Sequence, residues 1–107
     1  MRGEIWTMRD DAYASKARPV VIVQSDDVDG FDSVVLCLLT SYESADISTR
    51  VRVEPSVRNG LDRTSWVMTE KIASVSRGML GVKVGVLEQD ILDEVSRQLA
   101  VVLGLSR

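Results

Sequence analysis

Two short segments of the sequence place side chains suited to phosphate binding at the ends of apolar runs. Arg18-Pro19 stands directly before the β-branched run 20–23, and Thr40-Ser41 follows the apolar run 34–39. If these runs pair as antiparallel strands through a turn near Gly30, the start of one meets the end of the other at the same end of the sheet. A planar guanidinium beside a hydroxyl would then offer two parallel donors and a third to a phosphate. From position alone, an ordinary surface arginine and a strand-end hydroxyl remain the alternative.

The composition excludes most other catalytic chemistry. None of the 107 residues is histidine, so Ser–His and Cys–His nucleophile pairs and histidine metal sites are absent. The single cysteine, Cys37, cannot form an internal disulfide or a multi-cysteine zinc site, and its apolar neighbours predict a buried thiol. The aspartates of segment 25–32 lack calcium-loop spacing, so we predict a solvated turn. We therefore expect no metal and no cofactor.

The charge is distributed unevenly along the chain. The net charge is −3, yet the segment from Arg50 to Lys83 carries seven basic and three acidic residues. This asymmetry predicts a basic groove on an acidic body, with scattered surface charges as the alternative.

Length and composition predict one domain spanning residues 1–107. Apolar residues make up 45% and charged residues 27% of the sequence, as in globular proteins. The first 20 residues contain no apolar stretch typical of a signal peptide, and no run approaches a membrane helix in length. We therefore expect a soluble, cytoplasmic protein.

The hydrophobic pattern predicts a mainly β domain with a C-terminal helix. Period-two and β-branched runs predict strands near 3–8, 20–23, 33–40, 49–53, 65–72 and 82–86, with a short helical turn within 75–80. Apolar residues at three- and four-residue steps predict a helix over 89–103. The expected fold is α+β, a small, strongly bent SH3-like barrel of five to seven strands that self-associates.

Several short pieces of the sequence, taken in order and with their spacing, match one known family. They are Arg2–Trp6, Ala17–Gln24, Leu39-Thr40-Ser41, Asn59-Gly60-Leu61, Ser65–Ile72, Leu80–Gly85 and Leu103-Gly104-Leu105. Through these pieces the chain resembles the MazF/PemK family of toxin endoribonucleases, whose fold is similar to that of the gyrase poison CcdB. The Arg-Pro junction favours the ribonuclease branch.

The resemblance implies a homodimer that cuts single-stranded RNA at short sequences without metal. The family's catalytic arginine matches Arg18 and its catalytic threonine matches Thr40. The implied reaction is attack of a ribose 2′-hydroxyl on the adjacent phosphorus, which leaves a cyclic phosphate and a free 5′-hydroxyl. The implied protein partner is an antitoxin whose acidic C-terminal segment lies in the basic groove.

Further residues are candidates for contacts with the substrate. Ser41, Lys71 and Arg77 are expected to bind RNA, although a strand-end ion pair is the alternative for Glu70-Lys71. The loop before Arg18 is shorter than in many family members, and its Ser15 and Lys16 are candidate phosphate contacts against a flexible-loop alternative. The two tryptophans could stack on bases, but their strand positions predict partial burial.

Two other functions stay open from the sequence. A CcdB-like, non-enzymatic gyrase binder would act through its C-terminal residues, typically with a tryptophan near the end, whereas this chain ends in Leu-Gly-Leu-Ser-Arg. A degenerate family member would bind only its antitoxin.

Overall fold

The computed structural model describes residues 1–9 and 17–105. They form six strands, a single 3-10 turn and one helix: β1 (Glu4–Arg9), β2 (Ala17–Ile22), β3 (Ser33–Thr40), β4 (Arg50–Val53), β5 (Ser65–Ser76), the 3-10 turn (Arg77–Met79), β6 (Leu80–Val86) and α1 (Gln89–Val102).

The strands form one antiparallel sheet in the order β4-β5-β3-β2-β1-β6. The predicted α+β class, with a C-terminal helix after the strands, is therefore confirmed. Register shifts in the β3–β5 and β1–β6 ladders bend the sheet. Within the described residues no ladder joins the edge strands β4 and β6, so the sheet is not closed into a barrel.

β5 is longer than the sequence pattern predicts. Its apolar character fades after Ile72, but the strand continues to Ser76 because Ser74–Ser76 pair with the first residues of β3. Backbone pairing thus extends the strand through a segment in which two serines alternate with Ala73 and Val75. The 3-10 turn follows inside the segment where a helical turn is predicted.

Side-chain alternation along the central strands sorts the core into two clusters. Val21 and Cys37 belong to the cluster that includes Leu92 and Val95 of α1. Val20 and Leu36 belong to a second cluster on the other face of the sheet. Because successive residues of a strand point to opposite faces, Arg18 and Thr40 share the face of Val20, away from α1.

Cys37 is fully buried, as predicted. Burial, together with the negative charge of Glu70, raises the pKa of its thiol to about 12. The thiolate required for nucleophilic attack is therefore strongly disfavoured.

The loop between β4 and β5 is fixed by one buried amide, that of Asn59. Its Nδ2 donates to Glu54 O at 2.8 Å and Glu88 Oε1 at 3.1 Å, and its Oδ1 accepts from the backbone N–H groups of Ser56 and Leu61 at 3.0 Å each. Since the side chain is 0% exposed, every polar atom of this amide is satisfied inside the protein. The loop is thereby attached to the residue that precedes α1.

Gly60 allows this loop to lie close to β6. Its φ is +69°, and a Cβ at this position would lie 2.1 Å from the carbonyl oxygen of Val84. Only glycine satisfies both conditions, so the turn predicted at Asn59-Gly60-Leu61 is also a packing contact.

Two further properties concern only the described part of the chain. No helix there is long and apolar enough to cross a membrane. No group of three or more Cys, Asp or Glu side chains there is arranged to hold a metal ion.

Candidate functional site

The register between β2 and β3 brings Arg18 and Thr40 together. Val20 pairs with Leu38 and Ile22 pairs with Leu36. Arg18 lies two residues before Val20 and Thr40 lies two residues after Leu38, so both lie at the same end of the two strands and on the same face. Both residues also line one cavity of about 550 Å³ at this end of the sheet. Arg18 and Thr40 therefore lie at the same end of the sheet, as predicted, and their catalytic roles stay a prediction.

The cavity combines cationic and hydroxyl groups with apolar surface. The ends of β2 and β3, the start of β5 and the loop before it contribute its walls: Ala17, Arg18, Pro19, Leu39, Thr40, Ser41, Leu61, Asp62, Arg63 and Ser65. Two guanidinium groups and the hydroxyls of Thr40 and Ser41 can bind anionic oxygens, while the apolar side chains offer contact for a ring or a ribose. One carboxylate, that of Asp62, lies among them.

The hydroxyl of Thr40 is held by the chain that follows it. Thr40 Oγ1 accepts a hydrogen bond from the backbone N–H of Tyr42 at 3.1 Å. A hydroxyl oxygen that accepts a bond in this way still has its own hydrogen to donate. Thr40 can therefore donate a hydrogen bond to a bound anion while the N–H of Tyr42 holds its oxygen in place.

A partly buried ionic network anchors the segment after Thr40. Arg50 Nη2 lies 2.5 Å from Glu70 Oε2, and Arg50 Nη1 donates to Ser44 Oγ at 3.0 Å. The buried Ser44 in turn donates to the carbonyl oxygen of Tyr42 at 2.8 Å. The hydrogen bonds from Arg50 lower the pKa of Glu70 and outweigh the opposing effect of its burial. A chain of contacts thus runs from Glu70 to the residue that holds the Thr40 hydroxyl.

The other predicted substrate-binding residues lie in different places. Ser41 lines the cavity and is exposed. Lys71 is exposed on β5 but does not line the cavity. Arg77 lies at the opposite end of β3, where its Nε donates to Phe31 O at 3.0 Å and its backbone N–H to Asp32 O at 2.8 Å. Ser15 and Lys16 fall outside the described residues.

Not every basic residue of the predicted groove lines the cavity. Arg50 is used within the fold, where it pairs with Glu70. Glu70 lies in the middle of β5, so this pair across two strands differs from the strand-end ion pair considered for Glu70-Lys71. Sequence reasoning also missed Asp62 and Arg63, which line the cavity. In the sequence, the one sign of their role is that they follow the predicted turn at Asn59-Gly60-Leu61. The position of this loop depends on its contact with Glu88, before α1, and a contact between residues so far apart in the sequence cannot be read from the local pattern.

Trp66 is buried and Trp6 is half-buried, in agreement with the partial burial that their strand positions predict. Trp66 is only 6% exposed, and the guanidinium of Arg52 lies 5.9 Å from its ring centroid. Trp6 packs against the second core cluster and donates its Nε1–H to Glu4 at 3.1 Å. A base would have to displace these contacts in order to stack.

Comparison with known proteins identifies close relatives of the whole chain. A sequence model of the family described as "PemK-like, MazF-like toxin of type II toxin-antitoxin system" matches residues 1–103. A protein of Mycolicibacterium smegmatis named "Probable endoribonuclease MazF" is 35% identical over 106 residues, covering 98% of this chain and 97% of the relative. "Endoribonuclease EndoA" of Bacillus subtilis is 27% identical over 90 residues, covering 82% and 77% of the two chains.

Solved structures share the fold over nearly the full length. A mycobacterial structure titled "Endoribonuclease in complex with its cognate antitoxin" superposes with a TM-score of 0.85 at 25% identity, covering all of this chain and 97% of that one. The "Mycobacterium tuberculosis toxin MazF-mt6" gives a TM-score of 0.81 at 23% identity, covering 97% and 99%.

Proposed function

The chain belongs to the family of PemK-like, MazF-like toxins of type II toxin–antitoxin systems, and from this premise we propose that it is a metal-independent endoribonuclease acting on single-stranded RNA. The family resemblance derived from the sequence is thereby confirmed. One relative is named an endoribonuclease and the other a probable endoribonuclease, which supports an RNA-cleaving enzyme and not the non-enzymatic gyrase-binding alternative.

One observation carries the assignment of the active site. Arg18 and Thr40 are 22 residues apart in the sequence and line the same cavity, at neighbouring ends of β2 and β3. Such a pair supplies fixed donors to a phosphodiester, and an arginine fork matches two phosphate oxygens at once. The substrate contributes the nucleophile, so a protein without histidine needs no nucleophile of its own.

The proposed step is an in-line transfer within the RNA. The ribose 2′-oxygen forms a bond to the adjacent phosphorus while the bond from phosphorus to the 5′-oxygen breaks. The 2′-hydroxyl proton passes to water, and the leaving 5′-oxygen takes up a proton. The products are a 2′,3′-cyclic phosphate and a free 5′-hydroxyl.

Arg18 and Thr40 act on the charge that builds up on the phosphorane oxygens. Donors aimed at that charge in advance lower the barrier, because they need not reorganise during the reaction. A guanidinium hardly deprotonates. We therefore assign Arg18 electrostatic stabilisation rather than the role of a general base.

The test is cleavage of a mixed RNA in the presence of EDTA, followed by mapping of the new 5′ ends. Cuts at a repeated short sequence with 5′-hydroxyl ends are expected. Intact RNA, or cuts that require added Mg²⁺, would contradict the proposal. Stalled gyrase with intact RNA would support the gyrase-binding alternative instead.

We further propose a cognate antitoxin with an acidic C-terminal segment as the protein partner. The structure title of the mycobacterial relative describes an endoribonuclease bound to its cognate antitoxin. In this chain, Arg18 and Arg63 give the cavity the cationic groups that an acidic peptide would contact. Such a peptide should compete with RNA, and unaltered cleavage in saturating peptide would contradict this placement.

A homodimer is proposed as the active assembly. Exposed Val82 and Met79 lie on and beside β6, and Leu80 of that strand packs against the core cluster on the face away from α1. Exposed apolar groups next to such a cluster favour self-association. Light scattering should give twice the chain mass of 11.8 kDa at micromolar concentration, and a mass of one chain would contradict the dimer.

The cytoplasm is the proposed location, since both the RNA substrate and the antitoxin of such a system are made there. Fractionation of cells that express the chain with its antitoxin tests this. Recovery with the membrane fraction would contradict it.

A further inference from the structure

We infer that Arg63 forms a second phosphate-binding position of the cavity and takes an RNA backbone phosphate beside the one that is cleaved. This inference rests on the proposed ribonuclease function. It extends the site to a residue in the loop between β4 and β5, far in the sequence from Arg18 and Thr40.

The first support is the shape and lining of the cavity. Arg63 lines the same cavity as Arg18 and Thr40. The volume of about 550 Å³ lies within the range of pockets that hold ligands of about 300–1,000 Å³. A cavity of this size has room for a nucleotide together with a flanking phosphate. The apolar side chain of Leu61 in its wall provides a contact for the sugar or the base.

The second support is the state of the Arg63 guanidinium. Its side chain is 72% exposed, and in the described residues its ion-pair partner is Asp62 at 4.0 Å, the outer limit of such a contact. Asp62 is itself 96% exposed, and exposed pairs of this kind contribute little. A phosphate in the cavity can therefore replace Asp62 at little energetic cost.

The third support is the rigidity of the backbone that carries Arg63. Ser65 Oγ donates to Arg63 O at 3.1 Å, and Thr64 Oγ1 donates to the Glu54 carboxylate at 3.2 Å. The buried Asn59 fixes the preceding turn. Because the backbone of Arg63 is fixed, its exposed guanidinium can occupy only a limited set of positions near the cavity. Less conformational entropy is then lost when it binds a phosphate.

The two arginines of β4, Arg50 and Arg52, both form ion pairs with glutamates. Arg50 binds Glu70 within the fold, and Arg52 Nε lies 2.6 Å from Glu54 Oε1. Neither lines the cavity. Arg63 is thus the side chain placed to add a second positive charge beside Arg18.

The test measures binding and cleavage separately. The probe is a short RNA with a cut site mapped using the wild-type protein, and a 2′-deoxy copy at the cleaved nucleotide removes the nucleophile for binding measurements. Arg63→Gln should raise Kd about tenfold at low salt, the effect of losing one charge-assisted contact. Its kcat at saturating RNA should fall by a smaller factor than its affinity, since Arg63 contacts a phosphate that does not react.

The salt dependence provides a readout that a purely structural role would not change. Each phosphate contact with single-stranded nucleic acid contributes about 0.7 to the slope of log Kd against log salt. Arg63→Gln should reduce the slope by about this amount, whereas Arg63→Lys should retain it. The matched control is Arg97→Gln, which removes one exposed guanidinium from α1, where Arg97 pairs with Glu94 at 2.9 Å. This control should bind RNA as the wild type does.

Neutral methylphosphonate linkages, placed one at a time beside the cut site, identify the phosphate. One of them should weaken binding to the wild type about tenfold and have no further effect on Arg63→Gln. Wild-type Kd and salt slope in Arg63→Gln, or equal sensitivity of both proteins to every neutral linkage, would overturn the inference. If the wild-type protein cleaves no RNA, the proposed function itself fails, and that result is distinguishable from these.

Discussion

Single side chains fix the loop that completes the cavity, and Asn59 is the clearest case. Its amide makes hydrogen bonds to both sides of the turn and to the Glu88 carboxylate before α1. Burial opposes ionisation of Glu88, but hydrogen bonds from Ser56 and Asn59 outweigh it and lower the pKa of this carboxyl. One buried amide therefore connects the position of Leu61 and Arg63 to the helix.

We predict that Asn59→Ala lowers the free energy of unfolding by about 3 kcal/mol, because it leaves several buried backbone and carboxylate groups without partners. Urea denaturation measures this loss. The control is Asp62→Asn in the same loop, whose side chain is 96% exposed and which should change stability by less than about 0.5 kcal/mol. Equal stability of Asn59→Ala and the wild type would show that the turn does not depend on the amide.

Glu4 predicts how stability responds to acid. Burial opposes its ionisation, but hydrogen bonds from the Met1 ammonium, Trp6 and Lys83 outweigh this and lower the pKa of Glu4 to about 2. A carboxyl whose pKa is lower in the folded state contributes stability above its unfolded pKa of 4.5, and this contribution is lost as the pH falls towards 2. Urea midpoints should therefore fall less steeply below pH 4.5 in Glu4→Gln than in the wild type. If the urea midpoints of Glu4→Gln and the wild type fell equally steeply with pH, Glu4 would not have the lowered pKa assigned to it.

At the scale of elements, β4 and β5 hold the segment that follows β3. Arg50 of β4 and Glu70 of β5 form the ion pair, and Arg50 also reaches Ser44. Because Ser44 binds the carbonyl of Tyr42, and the N–H of Tyr42 binds the Thr40 hydroxyl, two strands outside the cavity orient a group inside it. Arg50 is a positioning residue in this arrangement.

We predict that Arg50→Gln lowers kcat about tenfold with a smaller change in KM, and destabilises the fold by about 2 kcal/mol because Glu70 and the buried Ser44 each lose a charge-assisted hydrogen bond. The side chain of Arg50 is 15% exposed, whereas that of Arg52, two residues along the strand, is 60% exposed beside Glu54. Arg52→Gln is therefore the matched control and should change stability by less than about 1 kcal/mol. Unchanged kcat in a folded Arg50→Gln protein would remove the proposed positioning role.

At the scale of the whole molecule, the sequence predicts the features that depend on the order of the strands along the chain and on the alternation of side chains between the two faces of the sheet. Antiparallel pairing of β2 and β3 follows from two apolar runs and an intervening turn, and it places Arg18 and Thr40 in the lining of the same cavity. The position of Arg77 could not be predicted, because the continuation of β5 to Ser76 depends on pairing with β3 and carries the residue to the far end.

Loop contacts were the other part that the sequence could not provide. The turn at Asn59-Gly60 is visible in the sequence, but its attachment to Glu88 joins residues 29 positions apart. A count of charges along the sequence does not show which acidic group each arginine contacts. It could therefore not distinguish Arg50, which pairs with Glu70 inside the fold, from Arg63, which lines the cavity.

The most direct test of the active site is a double-mutant cycle on the single-turnover cleavage rate of a short RNA with a mapped cut site, using Arg18→Ala, Thr40→Ala and the double variant. Each single change should slow cleavage by at least about 100-fold, as expected for the loss of one donor to the reacting phosphorus. The double variant should be much faster than the product of the two losses predicts, because both groups act on the same phosphate. Thermal unfolding at wild-type temperatures would show that the variants are folded. Cleavage at the wild-type rate by either folded single variant would contradict the assignment of the cavity as the catalytic centre.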